Sequence, residues 1–505
     1  MRSATLFGLL PLVALACNGG SPSAAPAAAT VTSRAAVKPD GAKAPAPEGI
    51  DATRNAARKL AGDILVGGQT MKTLTELTDT CGARLTGSAS YTAAAAWAVE
   101  RFRSYGVNAT TETLSLEHTW VRGEARGKIV APREMAVHVA SIGWTPGTPP
   151  GGLRGDVLKL DDVSLDAITR RKDEVKGKVV YYERTAEKKA RWMAHPLTRL
   201  AEAGAVAVIT RGGKASNVLV ASSCFGVKGA PCPGPAFGIG LEDGATLERL
   251  LEQGPVTLEL ASTAAMGGPA EVPSVVAEIR GREKPDELVL VGAHLDAWDL
   301  ATGAQDNGSG VAQVLEAARA IRALGTPPRR TIRFLLWSGE EQVLLGSRAY
   351  VKAHAAELDR VVAYLNTDFG AGTPLGWNVD ARDDARRALQ PIARELLAGL
   401  GADRLQAEIH CDSDDCPFWA QGVPALNLDV DISAYGDVHH LPSDTLDKVK
   451  DGALSLGAAV LAVTTYALAE LPERFAPRAD HAALEKTLKG NDVVQMLGDI
   501  GVWKP

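Results

Sequence analysis

Residues Glu287–Gly310 read ELVLVGAHLDAWDLATGAQDNGSG. Leu288–Ala293 is a run of branched apolar residues and predicts a buried strand. His294 and Asp296 follow, two apart, so an extended chain projects imidazole and carboxylate to the same side. A Gly-containing loop leads to Asp306-Asn307-Gly308-Ser309-Gly310, and Val311–Leu324 has the pattern of a helix. A strand ending in polar side chains and turning into a helix is the usual crevice of an open α/β sheet.

Outward from this stretch, strands and helices alternate. Strands are expected at Val275–Arg280, Glu287–Ala293, Thr331–Trp337, Val361–Thr367 and Val423–Val430. Helices are expected at Val311–Leu324, Val343–His354, Ala381–Leu400 and Lys450–Leu471. The pattern predicts an α/β fold, a mostly parallel or mixed sheet flanked by helices. Upstream, Ala52–Val66, Met71–Thr78 and Ala93–Tyr105 read as helices, and Val107–Leu116 as a strand.

Further polar groups stand where the other strands end. LLWSGEEQ sets Glu340 beside Glu341, the strand Val361–Thr367 stops at Asp368, and the last loop carries His439-His440-Leu441-Pro442-Ser443-Asp444-Thr445. Each has an ordinary explanation alone: Asp306 as a helix cap, the glutamates as partners of a helix dipole, His440 as a solvated ring. Four successive strand ends delivering His, Asp, Glu, Asp and His to one sheet edge are poorly explained that way. Adjacent residues at a turn point apart, so one glutamate can bind a metal while the other faces substrate.

In order, HxD, DNGSG, SGEEQ, NTD and HLPSDT resemble metallopeptidase family 28, the co-catalytic zinc aminopeptidases. HLDAWD, LWSGEEQ and the doubled His look most like the plasma glutamate carboxypeptidase subgroup, which are dipeptidases. The resemblance spans roughly residues 73–471 and implies a zinc-exopeptidase-like fold holding two Zn2+ ions. It implies Asp306 as the bridging ligand, with His294 and Asp368 completing one metal site and Glu341 and His440 the other. The family's last His stands four residues before an Asp-Thr pair, which selects His440 over His439. Asp296 is then expected to orient the His294 ring, and Glu340 to act as general base for a metal-bound hydroxide. His439 is a candidate oxyanion donor or, equally, a residue that orients its loop.

The implied activity is hydrolysis of a peptide bond next to a free N-terminus, with a peptide or dipeptide as substrate. A single-zinc glutaminyl cyclase-like acyltransferase and a catalytically dead binding protein are the alternatives on this scaffold. A filled ligand set argues against the second, and the inserted region described next argues against the first. Two positions depart from the family pattern. Asn307 stands where some relatives carry a second Asp, a variant that also occurs in the family. Asp415 in Ser413-Asp414-Asp415-Cys416-Pro417-Phe418 stands in the place of a His in the common form of that loop, which bears on specificity.

Residues 128–268 have a different texture, with short β-like pieces (Lys128–Ala131, Met135–Ile142, Gly155–Lys159, Gly177–Tyr182, Val206–Thr210, Val256–Glu259) between Gly and Pro turns. VKGKVVYYER followed by LAEAGAVAVITRGG resembles a protease-associated domain; a generic β-rich insertion is the other reading. The peptidase part is then 50–127 with 269–471, and 472–505 is a C-terminal extension of unread role.

At 505 residues the chain predicts two domains. A net charge of −6 gives no footprint for nucleic acid, and no internal apolar run reads as a membrane span. Arg2, the apolar Leu6–Ala16 and Ala14-Leu15-Ala16 predict a signal peptide over 1–16. Cys17 directly after it resembles the lipid-bearing Cys of a bacterial lipoprotein, although Ala14 replaces the usual Leu; simple cleavage before Cys17 competes. Residues 17–49, rich in Ala, Pro and Ser, read as a disordered tether. An exported enzyme is expected, membrane-anchored or periplasmic/extracellular, and a homodimer is implied by the subgroup alone. Export permits disulfides, and Cys224/Cys232 and Cys411/Cys416 are close enough in sequence to pair, leaving Cys81 free and buried.

Overall fold

The strand Lys284–His294 is buried on both faces from Leu288 onward, and its neighbours share that character. Arg330–Trp337 and Val361–Asn366 flank it in parallel, and Ala425–Val430 adds a fourth parallel strand beside Val361–Asn366. Asn108–Leu116 and Ala270–Ile279 extend one side antiparallel. Pro374–Asn378 and Arg404–Gln406 extend the other, completing eight strands in a mixed sheet. The structure, a computed structural model, describes residues 50–183, 196–212, 214, 216–224, 230–489, 491, 493–499 and 501–503. The expected signal peptide, Cys17 anchor and tether lie outside these residues.

The pleat sorts the apolar run between two helical layers. Val289, Val291 and Ala293 pack with residues of the helices Ile50–Gly67, Ala89–Ser104, Ser309–Ala323 and Asp451–Glu470. Leu288 and Leu290 pack with Tyr350, Val351 and Phe418 on the opposite face. Burial on both faces is why the strand reads as continuously apolar and not as alternating. Asp451–Glu470 corrects one expectation, because it is long and apolar enough to cross a membrane by length and composition. It is a core helix instead, with 78% of its apolar window buried inside the protein.

Residues 125–262 supply a second eight-stranded sheet. Leu153–Lys159, Val179–Glu183, Ala207–Arg211 and Ala236–Ile239 run parallel at its centre. Met135–Ile142, expected as one strand, is two: Met135–Val137 pairs with Ala125–Ala131, and Val139–Ser141 pairs with Ala236–Ile239. These are the two ends of the sheet order, so the sheet curls until its ends meet at His138. The expected helix Ala381–Leu400 is also broken. Asp383–Ile392 is α-helical, and Pro391 then withholds an N–H, so the chain continues as one π turn and one 3-10 turn.

Cys224–Cys232 and Cys411–Cys416 are both disulfides, and Cys81 is free and only partly buried. The tail forms the helices His481–Leu488 and Val493–Asp499. Leu484, Leu488, Leu497 and Trp503 pack against Cys411, Cys416 and Trp419, so the extension covers the disulfide loop.

Candidate metal centre

His294, the last residue of its strand, is buried, and its Nε2 lies 3.1 Å from Asp306 Oδ1 and 2.8 Å from Asp368 Oδ1. Asp368 follows the neighbouring parallel strand, so strand pairing alone brings the two together. Ser413 donates its hydroxyl to the other oxygen of Asp368. The second oxygen of Asp306 turns the opposite way, 3.5 Å from His440 Nε2, and that nitrogen lies 3.0 Å from Glu341 Oε2. Asp306 thus stands between two donor sets, one oxygen toward each. His439 Nε2 comes within 3.8 Å of Asp306 Oδ2, and its ring is half-exposed.

Outer groups hold these side chains. His294 Nδ1 lies 2.9 Å from the backbone oxygen of Asp296 and 3.7 Å from its carboxylate, so the carbonyl is the nearer partner of the ring. The Asp296 carboxylate also accepts from the backbone N–H groups of Glu340 (3.2 Å) and Glu341 (3.3 Å) and from the Thr86 hydroxyl (2.8 Å). It therefore pins the turn on which both glutamates ride. Asp444 does the same for the other turn, accepting from the backbone N–H of Gln305 (2.6 Å) and of Asp306 (3.1 Å).

Loops that leave the second sheet reach the site. The backbone N–H of Ala221 donates to the His440 carbonyl (2.8 Å). His440 sits in the left-handed region at φ 60° and meets Trp298 edge-on, ring centroids 5.9 Å apart. A Cβ on Gly143 would come within 3.1 Å of the Trp298 ring, tighter than ordinary contact, so the glycine eases the approach of that segment.

The electrostatics favour added positive charge. Burial raises the Asp306 carboxyl, but the hydrogen bond and charge of His294, with His440 and His439, outweigh it and hold it below its ordinary range. Burial lowers His294, yet Asp368, Asp296 and Asp306 together carry it well above a normal imidazole. Burial lifts both Glu340 and Glu341 well above ordinary carboxylates, aided by Asp368 for Glu340 and by Asp306 for Glu341. Burial and the nearby Asp306 push Asp444 up to about 7.

Metal binding fits these observations. Asp306 with His439 and His440, and Asp306 with His294 and Asp368, each gather ligand atoms close enough for one ion. Glu341 Oε1 is buried without a hydrogen-bond partner, an orphan acceptor that a cation satisfies. Trp298, Ala301, Asp306, Glu341, His440 and Asp444 line a cavity of about 10 Å³, room for one water-sized species. Imidazole and carboxylate donors suit zinc.

All eight residues picked from the sequence lie at or around this edge. Four others were missed as site residues: Arg84, Thr86, Ser413 and Asp444. Asp444 lies inside the HLPSDT motif, which was a usable signal. Arg84 and Thr86 precede the first strand and act through contacts that no spacing announces.

The Peptidase family M28 profile matches residues 274–465. Carboxypeptidase Q of Mus musculus is 30% identical over 407 residues, covering 79% of this chain and 85% of that protein. The crystal structure of a Peptidase M28 precursor from Shewanella amazonensis superposes with a TM-score of 0.76 at 29% identity, covering 85% of this chain and 99% of that one. BSAP, a zinc aminopeptidase from Bacillus subtilis, superposes at 0.62 and 20% identity over 83% and 98% of the two chains, a likeness of fold.

Proposed function

From membership of peptidase family M28, to which this chain belongs as a zinc metallopeptidase, we propose an exported di-zinc exopeptidase. Its substrates are dipeptides or peptides with a free N-terminus. One observation carries the reading: Asp306 turns one oxygen toward His294 and the other toward His440. His294 and Asp368 would hold one ion, Glu341 and His440 the other, and Asp306 would contribute to both. Zinc bound there would supply Lewis acidity for the scissile carbonyl and a lowered pKa for a water.

The chain's own residues do the rest. Glu340, beside the ligand Glu341, takes the proton of the attacking water and returns it to the leaving amine. Asp296 keeps the two glutamates apart by binding both of their backbone N–H groups. His439, half-exposed beside Asp306, donates to the developing oxyanion in this reading. Two disulfides accord with export, and the lipid anchor at Cys17 and a homodimer belong to the same reading.

The test is metal content together with hydrolysis of free dipeptides, longer peptides and N-blocked peptides, with and without a chelator. Two zinc ions per chain, chelator-sensitive hydrolysis and no action on N-blocked substrates are expected. One zinc per chain with cyclisation of an N-terminal glutamine would overturn the proposal.

A further inference from the structure

Arg84 lies outside the matched family segment, in the loop between the helices Thr70–Cys81 and Ala89–Ser104. Its side chain is fully buried, at 0% exposure. Its Nε donates to the carbonyl of Leu295 (2.7 Å), between His294 and Asp296. Its Nη1 donates to Thr302 (2.7 Å) and to Gly82 (3.1 Å), and its Nη2 to Gly303 (2.9 Å). The Gly303 carbonyl also accepts the N–H of Gly308 (2.9 Å), which closes the turn carrying Asp306. In return, the Arg84 carbonyl accepts the N–H of Ala297 (3.2 Å).

We propose that Arg84 is a positioning residue: its guanidinium locks the His294 strand end to the Asp306 turn and so sets the distance between the ligands that share a metal. This rests on the di-zinc reading above. A planar fork of five N–H groups reaches carbonyls on both segments at once, whereas the single nitrogen of lysine cannot. Gly303 has φ 62°, and a Cβ there would fall 3.0 Å from Arg84 Nη2 and 2.2 Å from the Ala297 side chain. The turn is therefore built to let the guanidinium in. Burial lowers the basicity of Arg84 below its ordinary value, and Asp444, then Cys81, Asp296 and Asp306, counter it only in part. The same cation thus lies within the field of the acids that surround the metals.

The experiment compares wild-type chain and Arg84→Lys, both stripped with chelator and titrated calorimetrically with zinc, with kcat and KM measured on the reloaded enzymes. Arg84→Lys keeps the charge but leaves buried carbonyls unpaired, so the metal-free Tm should fall, and zinc is titrated at a temperature where both chains are folded. Zinc affinity should fall at least ~10-fold, the scale of removing an outer partner, and kcat should fall with KM nearly unchanged. A folded Arg84→Lys with wild-type zinc affinity and kcat overturns the proposal. If that variant does not fold, hydrogen exchange in the wild type decides. Zinc loading should slow the ligand-free peptide Cys81–Ser88 more than the strand Val179–Glu183 of the second sheet, and equal slowing overturns the proposal. Asp306→Asn is run in parallel. If it keeps both zinc ions the bridging reading itself fails; if it loses them while Arg84→Lys does not, only the role of Arg84 fails.

Discussion

At the His294 edge, Asp306, Asp368 and Glu341 face imidazole nitrogens, and one Glu341 oxygen has no hydrogen-bond partner among the described residues. Near the end of Pro374–Asn378, Asp380 and Asp415 instead face each other, both fully buried. Asp380 is well supplied with donors: Asn378 Nδ2 (3.1 Å) and the His410 N–H (3.0 Å) reach one oxygen, and Asn427 Nδ2 (3.0 Å) the other. Among the described residues no hydrogen bond of normal geometry reaches either oxygen of Asp415, and the Asn427 amide only partly offsets the upward push on its carboxyl. A proton on Asp415 donated to Asp380 resolves this, and burial together with the Asp380 charge raises the Asp415 carboxyl well above its ordinary range. Buried acids must be neutralised or paired. With histidines converging, the geometry suits a cation; with amides converging, it suits a shared proton.

The sharpest way to break this contrast is Asp306→Asn. It should remove zinc from both sets and cut kcat/KM by more than the ~10–100-fold expected of an outer partner, read by metal analysis and kinetics. Retention of both ions would make Asp306 no more special than Asp380. Next, Glu340→Gln should keep both zincs and lose ~10²–10⁴-fold in kcat. Glu341→Gln should lose one zinc instead, and the reverse pattern would swap the two roles.

The loop Cys411–Cys416 joins the two regions, since Ser413 binds Asp368 while Asp415 faces Asp380. Replacing both cysteines with serine opens a short loop and should cost about 2 kcal/mol of stability in denaturant unfolding. Zinc affinity on the Asp368 side should weaken with it. The smallest effect is expected from Asp415→Asn, which mimics the protonated acid. Because the folded carboxyl is raised, wild-type stability falls as pH climbs from the ordinary carboxylate value through the folded one. Asparagine does not titrate, so the variant should match wild type at acid pH and show a shallower fall in Tm toward alkaline pH. An unchanged slope would remove the shared proton from the argument.

Much of this was legible in one dimension. The strands that end in His294, Trp337 and Asn366 are long, apolar and buried on both faces, so burial wrote them into the sequence. Pro374–Asn378 and Arg404–Gln406 went unread because they are short, lie toward the sheet edge and are only partly apolar. Ala236–Ile239 and the helix Leu241–Gln253 were missed amid the Gly-rich texture around them. Asp296 lies beside the His294 ring, as its spacing suggests, and its carboxylate also holds the Glu340–Glu341 turn, a contact between strand ends that no spacing reports.

The sequence alone determined which donors the chain offers and which strand ends carry them, because periodicity and local turns follow from neighbouring residues. Tertiary structure decided what those donors do. Parallel pairing set His294 beside Asp368, the two oxygens of one Asp306 carboxylate were divided between two histidines, and Arg84 was drawn from an earlier helix pair to fasten two turns. Hydrogen bonds and Coulomb forces act over a few ångströms of space, and only folding brings groups more than 200 residues apart, such as Arg84 and Leu295, within that range.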